Sequence, residues 1–102
     1  MGVNKDSDKK LSIKTFFNKE IPIEYKKIRD EESADGLCYN PYGKNARIII
    51  DNRLGKRRRL NVFIEEITHA FFYDLPEYKV RKFSAELGRI LYNQFLKKKK
   101  IK

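Results

Sequence analysis

Between Arg57 and Tyr73 the apolar residues Leu60, Phe63, Ile64, Ile67 and Phe71 recur at three- and four-residue steps. That is the stripe of an amphipathic helix. Asp74-Leu75-Pro76-Glu77 follows, with an acid at an N-cap position, a proline in the first turn and a second acid three residues after the cap. This is the signature of a new helix start. The second helix is expected from Pro76 to Phe95 or Leu96, with Val80, Phe83, Leu87, Ile90, Leu91 and Phe95 on its apolar face. Gly88 interrupts that face and would let the helix approach the first one closely.

The N-terminal half has a different period. Leu11, Ile13, Thr15 and Phe17 alternate with Ser12, Lys14 and Phe16, as in a half-buried strand. Ile23, Tyr25 and Ile28 after Pro22 suggest a second strand, and the β-branched run Ile48-Ile49-Ile50 within Ala46 to Asp51 suggests a buried one. Between them, Ser33 to Asn45 collects Asp35-Gly36, Asn40-Pro41 and Gly43 and reads as a long connection. The order predicts an α+β fold, a small antiparallel sheet of two or three strands packed on two C-terminal helices. Residues 11–96 form the expected single domain, residues 1–10 a polar N-terminus and residues 97–102 a basic tail.

With 102 residues, a two-domain enzyme is excluded. Seven Phe and six Tyr are enough to build a core, although 37% of the residues are charged. Lys and Arg number 24 against 14 Asp and Glu, a net charge of +10, which favours polyanionic partners. The excess is concentrated in Lys56, Arg57, Arg58 and Arg59, and in Lys97, Lys98, Lys99, Lys100 and Lys102. The tail is most simply a solvated end, and its alternative role is a nucleic-acid-binding arm. Cys38 is the single cysteine, so no intramolecular disulfide forms and a reducing compartment is expected. No apolar run approaches a membrane span and the start has no apolar leader segment, so neither secretion by a standard signal nor membrane insertion is expected.

Glu65-Glu66-Ile67-Thr68-His69 is the cluster with the composition of a chemical site. Positions four apart share a helix face, so Glu65 and His69 can meet. In the zinc motif H-E-x-x-H the outer residues bind the metal and the inner Glu is the general base. Here the motif reads E-E-x-x-H. Carboxylate oxygen and imidazole nitrogen both bind zinc, so Glu65 and His69 are candidate ligands, and Glu at the first place makes the site more anionic. The purely structural alternative is a Glu65–His69 pair worth about 0.2–0.5 kcal/mol. A lone cysteine such as Cys38 is ordinarily a small buried apolar residue, though its thiolate could join a metal site. The chain has no G-x-S-x-G elbow and no Gly-rich phosphate loop.

Gly36-Leu37-Cys38, the segment Ala46 to Leu54, and Leu60-Asn61-Val62-Phe63-Ile64-Glu65-Glu66-Ile67-Thr68-His69-Ala70 together resemble the small zincin-like metallopeptidases of bacteria and phages. In that family a basic strand-loop segment leads into a helix of the form L-x-V-L-I-H-E-x-x-H-A. Asp74 to Val80 and Leu87 to Leu91 resemble the family's second helix, so the likeness spans about Ile23 to Phe95. It departs at Glu65, which replaces the first His. The resemblance implies a zincin-like fold, zinc as cofactor, Glu66 as general base, His69 as a ligand, and Glu65 as a substituted ligand. A third ligand would come from Asp74, Glu77 or Glu86. Glu77 matches an acidic residue at the family's second-helix start, while with Asp74 it would also form a capping box, the cap itself worth about 0.5–2 kcal/mol.

Two functions compete. One is a degenerate zincin-like metal-dependent peptidase acting on a protein or peptide. The other is a non-catalytic basic protein on the same fold, a phage structural or accessory protein that binds nucleic acid or an acidic protein through Lys56 to Arg59 and Lys97 to Lys100. The lysine- and isoleucine-rich composition fits an AT-rich genome, and the resemblance implies a bacterial or phage source. The expected location is the cytoplasm of a bacterial or phage-infected cell, or the virion.

Overall fold

The computed structural model describes residues 11–97. Strands β1 (Ser12–Lys14) and β2 (Glu20–Lys26) form an antiparallel hairpin with Ile13 opposite Ile21. The expected longer first strand is cut short because Asn18 adopts a left-handed conformation (φ 61°) and the Thr15 and Lys19 backbones close a turn. Phe16 and Phe17 therefore lie at the hairpin tip. After a single 3-10 turn at Asp30–Glu32 come β3 (Gly36–Cys38) and β4 (Ile48–Asp51). The sheet order is β1-β2-β4-β3, with β2 and β4 parallel and β3 antiparallel to β4.

This corrects the expected sheet in two respects. It has four strands rather than two or three, and it is mixed rather than antiparallel. Residues 27–47 carry the chain back to the starting end of β2, so Ile48 enters beside Ile23 in the same direction. On the way they leave three residues, Gly36 to Cys38, paired at the edge of β4. The turn formers on either side conceal so short a strand.

Alternation along β2 and β4 sends Ile21, Ile23, Ile48 and Ile50 to one face. There they pack with Val62 and Ala70 of helix α1 (Lys56–Phe71). Helix α2 (Glu77–Leu91) packs on α1 and ends in a wider π-type turn at Tyr92–Leu96. Val80, Ser84 and Gly88 are its buried positions, four residues apart. A Cβ at Gly88 would collide with the Asn61 side chain, so this glycine does permit the expected close approach of the helices. The predicted α1 stripe lines the groove between the helices, whereas Val62, Glu66 and Ala70 lie among the fully buried positions. No helix among the described residues is long and apolar enough to cross a membrane.

The corner between the helices differs from expectation. Pro76 is the N-cap of α2, its carbonyl accepts from the Lys79 and Val80 N–H groups, and no side chain caps the helix. The Asp74/Glu77 capping box does not form, because with Pro76 as the N-cap Glu77 is the first helical residue, and its carboxylate faces His69 and Arg81.

Candidate metal centre

A cavity of about 450 Å³ opens between β3, the C-terminal half of α1 and the start of α2. Glu66, His69 and Glu77 supply its ionisable wall, with Cys38 and the backbone of β3 opposite. Glu66 is 6% exposed because β3 presses on α1 at this turn. The closeness depends on Gly36: a Cβ there would stand 2.5 Å from Val62 Cγ1 and 2.8 Å from Glu66 Oε2. Burial pushes the Glu66 carboxyl up to about 8, and the charges of Glu65 and Glu77 add to the effect. Burial, followed by the charge of Glu66, likewise pushes the Cys38 thiol up to about 12. Cys38 Sγ–H donates to the Tyr39 carbonyl at 3.6 Å, and a thiol held in that state is a poor nucleophile and a poor ligand.

His69 Nε2 stands 3.2 Å from Glu77 Oε1, joining the last turn of α1 to the first turn of α2. Arg81 Nε–H donates to the other Glu77 oxygen at 3.1 Å. The carboxylate that reaches His69 is thus Glu77's and not Glu65's, so the structural alternative of a Glu65–His69 pair is not the contact that forms. Glu65 is half-buried one turn before His69 and lies outside the cavity lining, although its charge reaches Glu66. Of the other acids considered, Asp74 borders the neighbouring depression. Glu86 is bound to Arg89 at 2.8 Å, and that contact lowers its carboxyl.

The donor chemistry suits zinc, since His69 offers nitrogen and Glu77 oxygen from one wall. Among the described residues no three His, Cys, Asp or Glu side chains are grouped closely enough to hold an ion. Two donors converge, and Glu65 shares the His69 face of α1 one turn back.

The basic residues lie at the opposite end of the helix pair. Arg57 donates to Asn61 Oδ1 and sits over the Tyr92 ring, 5.4 Å from its centroid. That contact brings the start of α1 to the end of α2. Arg58 Nε–H donates to Asp35 at 2.9 Å, while Lys56, Arg59 and Lys97 are exposed. Lys98, Lys99 and Lys100 lie outside the described residues. Three cations in the first turn of α1 oppose the helix dipole, so their placement is not explained by helix stability.

Sequence reasoning missed Gly36 as the residue that buries Glu66, and missed Tyr73 and Leu75 in the cavity wall. Asp35-Gly36 reads locally as a turn, and no spacing connects it to a helix thirty residues on. Compared with family models, curated proteins and solved structures, the chain matches none.

Proposed function

We propose that the chain is a zincin-like, metal-dependent peptidase of degenerate motif, with its centre in the Glu66/His69/Glu77 cavity. One observation carries the reading: two helices bring an imidazole nitrogen and a carboxylate oxygen within 3.2 Å on the wall of a cavity that a buried carboxyl also lines. His69 and Glu77 would hold the ion, and Glu65, which lies outside the cavity lining, would have to turn toward His69 to add a third donor. Zinc bound there would polarise a scissile carbonyl and make an attacking water more acidic.

The chain's own part is proton handling. Glu66 is the general base, accepting the water proton on its carboxylate and returning it to the leaving amine. Burial, with the charges of Glu65 and Glu77 added, favours the protonated form of Glu66. Positive charge beside His69 and Glu77 would free that carboxylate for the work. Arg81 orients Glu77 from the outer side.

The test is hydrolysis of a mixed peptide pool, followed by mass spectrometry, before and after chelation and zinc return. The reading expects chelator-sensitive cleavage that zinc restores and that Glu66→Gln lowers about a hundredfold or more. Cleavage indifferent to chelator and to Glu66→Gln would reject it.

The second reading, a non-catalytic binder of nucleic acid or of an acidic protein, is favoured by the Arg57–Tyr92 contact, which joins the basic start of α1 to the end of α2. It expects polyanion binding that weakens with salt and whose salt slope falls in an Arg59→Glu, Lys56→Glu variant.

A further inference from the structure

Turn tips ordinarily carry polar residues, yet the β1–β2 hairpin presents Phe16 and Phe17 at 63% and 78% exposure. The tip is nonetheless held in place. Phe16 meets Phe71 and Phe72 edge-to-face, with ring centroids 5.0 and 5.4 Å apart. Between this tip, Pro41 and the end of α1 lies an apolar hollow of about 380 Å³. A second hollow shares Tyr42 and Phe71 with the first, and shares Tyr73 and Leu75 with the Glu66/His69/Glu77 cavity. Tyr42 and Tyr73 themselves stack edge-to-face at 6.2 Å. Through these shared walls the three depressions adjoin one another, a groove of neighbouring hollows from the carboxylate wall to the hairpin tip.

We propose that this groove receives an aromatic side chain of a peptide substrate whose backbone crosses the cavity. The inference rests on the peptidase reading and adds a specificity to it. The walls match that occupant, because aromatic rings pair favourably edge-to-face and gain most from leaving water. Other occupants fit less well. A second copy of the chain would bring its own charge of +10 against an equal one. Residues 1–10 offer only Met1 and Val3 as apolar side chains, and residues 98–102 only Ile101.

The experiment measures affinity of the Glu66→Gln protein for a series of polar peptides in which one Phe is moved along the chain, each against its Ala counterpart. One Phe position should bind about tenfold tighter or more, as burial of a phenyl ring implies. Phe16→Ser and Tyr42→Ser, with folding verified by circular dichroism, should each reduce that preference to about twofold. Absence of binding, no favoured position, or a preference undiminished in both variants would overturn the proposal. Zinc uptake and cleavage by the unaltered protein are read separately. A Phe preference without either would retain the groove and remove the peptidase, and cleavage without a preference would do the reverse.

Discussion

Asp51 and Glu66 are both buried acids, 3% and 6% exposed, and the protein treats them in opposite ways. Asp51, at the end of β4, accepts from Arg53 through its backbone N–H at 2.9 Å, its Nε at 2.9 Å and its Nη2 at 2.6 Å. The same guanidinium also donates to the Ile28 carbonyl at 3.1 Å, tying the loop after β2 to the end of β4. Hydrogen bonds from Arg53 hold the Asp51 carboxyl well below the usual carboxylate range. Glu66 is shifted the other way by burial and by two acids. A buried carboxyl with its cation built in is a structural device, whereas one in a cleft among like charges is costly to keep ionised.

The largest effect is expected where the complete pair is broken. Arg53→Met strands a buried carboxylate and should give the greatest fall in unfolding midpoint of any change discussed here, measured by thermal denaturation at pH 7. The pH dependence follows from the direction of the shift. A carboxyl lowered by folding stabilises the protein above its ordinary value, and that support disappears as pH falls through the folded value. In Asp51→Asn the midpoint should therefore change less between pH 5 and pH 2 than in the parent; an equal acid slope would show that the pair is not what acid disrupts.

Gly36→Ala tests the other member of the comparison by forcing β3 off α1. The added methyl meets Val62 and Glu66, and overpacking of this kind costs about 1–3 kcal/mol. It should also diminish hydrolysis, because the displaced strand carries the cavity wall opposite Glu66. Unchanged stability would mean that β3 shifts freely.

Glu66→Gln sharpens the contrast further, since it should remove activity while increasing stability. Folding raises this carboxyl from 4.5 to about 8, so the folded chain keeps a proton that the unfolded chain releases. Stability of the chelator-treated protein should consequently fall as pH climbs across that window. The amide should abolish the slope and be more stable than the parent at pH 9 by denaturant titration. A variant less stable than the parent at that pH would contradict the assignment. The smallest effect concerns Cys38, whose thiol is raised to about 12; at pH 8 it should react with iodoacetamide about a hundredfold more slowly than free cysteine.

The two helices, the Ile48–Ile50 strand and the placing of Glu66 and His69 on one helix are legible in the sequence because each is a local, periodic signal. The rest depends on distant contacts. The parallel β2–β4 register is decided by how residues 27–47 return, and Gly36 to Cys38 are too few to show a period. Asp74-x-x-Glu77 has the spacing of a capping box, yet the longer-range partner His69 takes Glu77, an outcome no local rule anticipates. Glu65 illustrates the reverse: helical spacing allows it to face His69, but the fold supplies a different carboxylate.

If His69 and Glu77 together hold a metal beside Glu66, the zinc content of the protein reports it. Purified protein, loaded with zinc and passed over a weak chelator, should retain one zinc per chain. His69→Ala and Glu77→Ala should each lose it while keeping the circular dichroism of the parent. Failure of the parent to retain zinc, or retention undiminished in both variants, would contradict the account.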